Sequence, residues 1–77
     1  MKTPRNLSAQ ELIKILAKYG YEITRQKGSH IRLVKQSEKG SHYVTIPNHN
    51  PIKLGTLSSI ISDIADNLGI NKEDFFN

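Results

Sequence analysis

Two stretches with helical spacing of apolar residues enclose a third, Tyr21 to Pro47, in which apolar and polar residues alternate. That order constrains the fold more than any other feature of the chain, because period 3.6 and period 2 cannot share one element. In the first stretch Leu12, Ile15, Leu16 and Tyr19 fall at i, i+3, i+4 and i+7, which predicts a helix over roughly residues 9–19. Ser8 and Glu11 have the spacing of a reciprocal cap, Leu7 can close over Leu12, and Gly20 ends the helix. In the last stretch Leu54, Leu57, Ile60, Ile61, Ile64 and Leu68 mark a second helix that stops before Gly69. Asn71 to Asp74 then reads as a capped short turn, with Phe75 and Phe76 docking back onto the core.

The alternating middle divides into three strands. Tyr21 to Gln26 is the first, Lys27-Gly28-Ser29 a turn, and His30 to Gln36 the second. A polar loop, Ser37 to Ser41, leads to the third, His42 to Pro47, and Asn48-His49-Asn50-Pro51 breaks the pattern. Short turns between consecutive strands imply an antiparallel meander. The expected fold is α+β, in the order α-β-β-β-α, with a three-stranded antiparallel sheet and both helices on one face. Ile23, Ile31, Leu33, Val44 and Ile46 would lie under the helices. The opposite face would be bare, displaying Glu22, Thr24, Gln26, His30, Arg32, Val34, Tyr43 and Thr45.

Size and composition narrow the class. Seventy-seven residues give a single domain, 1–77, opened by a short polar lead (1–6) expected to fray. The longest uninterrupted apolar run is three residues, Ile15 to Ala17, so neither a membrane span nor a signal-peptide core is expected. With no cysteine there is no disulfide or thiolate ligand, which fits a cytoplasmic location. The net charge of +4 is unevenly spread. Residues 1–53 hold ten basic and three acidic side chains, whereas residues 54–77 hold one basic and four acidic. A basic body with an acidic last helix suits a polyanion on one face, although small domains also carry such imbalance without binding nucleic acid.

Chemistry concentrates at Lys27-Gly28-Ser29-His30, flanked by Arg25 and Arg32. An imidazole gives or takes a proton near pH ~6.5. Neighbouring cations bind phosphate and favour the neutral ring that a general base needs. Gly28 permits close backbone approach, and the Gly28 and Ser29 amides can hold a phosphate. A Gly-Ser-His turn is also a common surface feature, so residue chemistry alone leaves His30 either a reagent or an ordinary surface histidine. Gly55-Thr56 reads equally as a phosphate contact at a helix start or as the start alone. His42 and His49 have no carboxylate at ligand spacing, so no metal site is expected.

The ordered set of segments resembles one family, the HicA (YcfA-like) toxins of toxin–antitoxin modules. Leu12 to Tyr19 with Gly20-Tyr21-Glu22 is similar to that family's first helix and exit. Arg25-Gln26-Lys27-Gly28-Ser29-His30 resembles its signature, and Val44-Thr45-Ile46-Pro47 with His49 its third strand and loop. Leu54 to Ile61 resembles the opening of its last helix, which here runs longer than in the shortest members and carries Asp63 and Asp66. The resemblance implies a fold like the double-stranded-RNA-binding domain and a metal-independent endoribonuclease, an mRNA interferase without cofactor. Its signature histidine maps to His30 as the catalytic residue, with His49, Lys27 or water open as the second proton-transfer group. Arg25, Lys27, Gly28, Ser29, Arg32 and Thr56 would contact RNA. A HicB-like antitoxin would cover the His30 face. The competing expectation is a non-catalytic RNA- or protein-binding module on the same scaffold, with His30 only a contact.

Overall fold

The structure, a computed structural model, describes residues 6–76. The polar lead expected to fray therefore lies outside the described residues, apart from Asn6. The elements are α1 (Ala9–Lys18), β1 (Glu22–Lys27), β2 (His30–Ser37), β3 (Gly40–Pro47) and α2 (Leu54–Leu68), followed by a single 3-10 turn, Lys72–Asp74. The strands form one antiparallel sheet in the order β1-β2-β3. This is the α-β-β-β-α order of a double-stranded-RNA-binding-domain-like α+β fold.

Both helices begin and end as their sequences dictate, with one exception. At α1 the Ser8 hydroxyl accepts from the Glu11 amide (3.1 Å), and the Glu11 carboxylate accepts from the Ser8 amide (3.0 Å). The Ser8 backbone bond, followed by its side-chain bond, holds the Glu11 carboxyl below its ordinary value. At the far end of α1 the Lys35 ammonium donates to the Tyr19 carbonyl (2.6 Å), satisfying an orphan acceptor of the last turn. α2 ends on Gly69 in the left-handed conformation, φ 72°. Its start carries no side-chain cap.

The core lies between the helices and one face of β2 and β3. Leu12 and Leu16 from α1, Leu57, Ile61 and Ile64 from α2, and Ile31, Leu33, Val44 and Ile46 from the sheet are all buried in one cluster. Phe75 joins it beyond α2, stacked on Tyr19 at 5.1 Å, and the Tyr19 hydroxyl donates to the Phe75 carbonyl (2.6 Å). Leu54, expected in the α2 stripe, stays exposed at the helix start.

β1 departs from the expected pattern in three ways. Ile23 faces the helix side opposite Leu33, but it is 53% exposed, because β1 is an edge strand and contributes no buried residue. The first turn is two residues long, not three: Lys27 pairs with His30 across Gly28-Ser29. Gly28 has φ 58° and Ser29 does not share a positive φ, as in a type II′ hairpin turn. The residue gained by the strand is absorbed as a β-bulge between Ile23 and Arg25, which leaves Thr24 without a register partner. A one-residue slip exchanges faces. Gln26, expected on the bare face, pairs with Ile31 on the helix side instead, while Arg25 and Lys27 pair with Arg32 and His30 on the bare side. The second hairpin is also tighter than expected, Ser37 pairing with Gly40 across Glu38-Lys39.

A polar chain closes the helix side of the sheet. The Asn67 amide donates to the Tyr21 hydroxyl (3.3 Å), which lies 2.7 Å from His42 Nδ1. His42 Nε2 is 3.4 Å from the Asp63 carboxylate. Nδ1 accepts from Tyr21 in the tautomer that carries its proton on Nε2, the nitrogen facing Asp63. Burial above all pushes the Tyr21 hydroxyl upward, against the Asn67 bond and with the Asp63 charge, so it stays a neutral donor. Tyr21→Phe removes the middle of this chain and leaves Nδ1 unpaired. It is expected to cost about 1 kcal/mol, seen as a melting temperature roughly 4–8 °C lower by circular dichroism.

Candidate nucleic-acid interface

Three rungs of side chains span all three strands on the bare face of the sheet. Lys27, His30 and Pro47 are register partners across the three strands. Next come Arg25, Arg32 and Thr45, and then Glu22, Val34 and Tyr43. The first two rungs enclose a shallow depression of about 320 Å³, lined by Arg25, Lys27, His30, Arg32 and Thr45. All five residues are exposed. No acidic side chain lines the depression. Three cations thus share the depression with one imidazole, an arrangement suited to a phosphate beside a proton-transfer group.

The backbone under His30 is held from two sides. Across the hairpin it pairs with Lys27, and on the other side with Pro47. Immediately past Pro47 the Asn48 amide donates to the Ser29 carbonyl (2.7 Å). The same loop is stitched to α1: the Ala9 amide donates to the His49 carbonyl (3.1 Å), the Ile52 amide to the Leu7 carbonyl (2.9 Å), and the Gln10 amide group to Asn48 Oδ1 (3.1 Å). The turn that delivers His30 is therefore fastened to the rigid body of the domain.

Of the residues expected to act together, the structure gathers Arg25, Lys27, His30 and Arg32, with Gly28 and Ser29 in the adjoining turn. Thr56 is not among them; it is exposed in the first turn of α2 and does not line the depression. His49 does not line it either, whereas Lys27 stands directly across the ladder from His30. His42 is committed to Tyr21 and Asp63 on the opposite face. Thr45 was placed on the bare face by alternation but not singled out. Its position beside Arg32 becomes evident only once β2 and β3 are paired in register. Among the described residues no group of three or more His, Asp or Glu side chains comes together, and no helix is long and apolar enough to cross a membrane. The acidic residues Asp63, Asp66, Glu73 and Asp74 are exposed on α2 and the turn that follows it, elements outside the depression.

Fold and face together define a small α+β domain with one covered and one open, basic sheet face. A family model described as the HicA toxin of bacterial toxin–antitoxin matches residues 9–65, a span that contains every residue lining the depression. The chain belongs to the HicA toxin family. Phe75, although part of the core, lies beyond the matched span. No curated protein and no solved structure matches the chain.

Gly28 is the residue on which the shape of this site turns. A Cβ there would meet nothing within 4 Å, so the only obstacle to a side chain is the positive φ. Gly28→Ala should destabilise the domain by about 1–2 kcal/mol, measured by urea denaturation. Helix content should be unchanged in the folded variant, since the strain is confined to the hairpin.

Proposed function

We propose that this chain is a metal-independent endoribonuclease that cuts mRNA, with His30 in acid–base catalysis. The observation that carries the reading is the gathering of Arg25, Lys27 and Arg32 around His30 in one depression of the open face. Neutral His30 takes the proton of a ribose 2′-hydroxyl, and the 2′ oxygen attacks the adjacent phosphorus. The P–O5′ bond breaks, the departing oxygen acquires a proton, and the products end in a 2′,3′-cyclic phosphate and a 5′-hydroxyl. Negative charge that builds on the phosphoryl oxygens is met by the three cations of the depression. Gly28 and Ser29 offer backbone amides in the turn just before His30. Lys27 is the better placed of the candidate second proton-transfer groups, as the register partner of His30. Thr56 lies outside the depression and would serve a phosphate further along the strand.

A cytoplasmic toxin of this kind needs a restraint. A HicB-like antitoxin would cover the His30 face, so that RNA and inhibitor compete for one surface. Support comes from membership of a toxin–antitoxin family and from a basic face that suits an acidic partner surface.

The test compares wild type with His30→Ala, both purified free of any antitoxin, on a long single-stranded RNA. His30→Ala should keep its fold, because the side chain is exposed. Cleavage should fall by about 10²–10⁴-fold, and RNA binding should persist. Full activity in His30→Ala removes that residue from catalysis. Intact RNA with the wild type, together with salt-sensitive binding, makes the protein a binding module instead.

A further inference from the structure

We propose that Tyr43 is a stacking platform for an unpaired base of the RNA held at the His30 depression. The inference rests on the ribonuclease reading above and adds a substrate class to it: single-stranded or looped RNA, not duplex.

The placement comes from the sheet register. Same-face neighbours along a strand are about 6.8 Å apart, and the rung Glu22–Val34–Tyr43 lies one such step beyond Arg25–Arg32–Thr45. The face therefore changes character along its length, from cations around an imidazole to a rung that sets Val34 and the Tyr43 ring on β2 and β3, with the Glu22 carboxylate on the far strand, β1. Val34 is only 9% exposed yet stands outside the core cluster, so the open face has a dry spot of its own at this rung. Beside it Tyr43 is 54% exposed, the most exposed large apolar side chain among the described residues. A lone exposed aromatic is ordinary. This one is not isolated, because the Arg32 guanidinium lies 5.5 Å from its ring centroid. Arg32 thus lines the depression and lies beside the ring.

Cations that track a backbone, followed by an aromatic surface one step away, are the two components of single-strand recognition. The pairing also discriminates between nucleic-acid forms. In a duplex the faces of the bases are stacked on each other and closed to a side chain, whereas a loop or single strand can turn a base onto the ring. The same ring could anchor a protein partner, but the cations beside it favour a polyanion, and the test separates the two.

The probe is a short 2′-O-methylated oligonucleotide, which cannot be cut through its 2′ oxygens, used as a single strand and as a blunt duplex of the same sequence. Binding is followed by fluorescence anisotropy across a salt series. Tyr43→Ala should weaken single-strand binding about tenfold and leave duplex binding unchanged, with the salt slope preserved because no phosphate contact is lost. Tyr43→Phe should bind like the wild type. The chain has no tryptophan, so in Tyr43→Trp the fluorescence of the single indole should be quenched by the single strand and not by the duplex. Wild-type affinity in Tyr43→Ala, equal losses for both forms, or an unquenched indole overturns the platform. The first of these leaves the ring to a protein partner and the ribonuclease reading intact. Failure of the wild type to bind either form overturns both readings.

Discussion

One extra residue in β1 determines which side chains can meet on the open face. Without the bulge at Thr24, the pairing that sets Ile23 against Leu33 would continue with Thr24 opposite Arg32 and Gln26 opposite His30. The face would then offer one arginine and one histidine among neutral neighbours. With the bulge, Arg25 stands opposite Arg32 and Lys27 opposite His30. Like charges directly across a ladder are unfavourable, and no carboxylate lines the depression to relieve them. An unfolded chain would keep these charges apart. A bound polyanion removes the conflict, so the arrangement makes better sense as a site than as a device for stability.

The domain tolerates that conflict because β1 is not part of what holds it together. None of its six residues is buried. Cohesion comes from the helix-covered side of β2 and β3, from Tyr21 just ahead of β1, and from Phe75 just after the final 3-10 turn. The loop from Asn48 to Ile52 completes the division by binding the hairpin turn at Ser29 and the entry to α1. Side chains on the bare face can thus be replaced with little effect on the core, while the backbone beneath His30 remains fixed. Precision at the turn and freedom on the face come from different sets of contacts. The bulge also serves the exposed edge of β1, where a local twist and flanking charges discourage pairing with a second chain.

Much of this was legible in the sequence, and the failures share one cause. Both helices, the Ser8–Glu11 cap, the Gly69 stop and the faces of β2 and β3 follow from apolar periodicity, because those segments bury one side. β1 buries nothing, so its alternation carries no information about register. Ile23 is a single apolar marker, and Gly28 fits a loop of either two or three residues. The bulge was consequently invisible, and with it the exchange of Thr24 and Gln26 for Arg25 and Lys27. Closeness in sequence to His30 points to the cations that the structure gathers beside it, but it says nothing of their common face, and Thr56 lies apart from them. Nothing in the sequence marks the Asn48–Ser29 bond or the Tyr21–His42–Asp63 chain, because both join residues that only tertiary packing brings together.

The charge asymmetry of the chain acquires a spatial meaning once the faces are assigned. Arg25, Lys27 and Arg32 stand at the open sheet, whereas Asp63, Asp66, Glu73 and Asp74 are carried by α2 and the turn after it. A polyanion approaching from the sheet side meets concentrated positive charge. One approaching the acidic residues is repelled, so the field itself orients the encounter. Arg32 is the joint between charge and shape on that side, because its guanidinium lines the depression and rests by the Tyr43 ring. The ring restricts where the charge can go, and an ordered cation loses less freedom on binding than a mobile one. On the proposed reading an inhibitor faces the same geometry as the RNA. It must present acidic groups to three cations and cover an exposed aromatic, and in doing so it occupies both halves of the site at once.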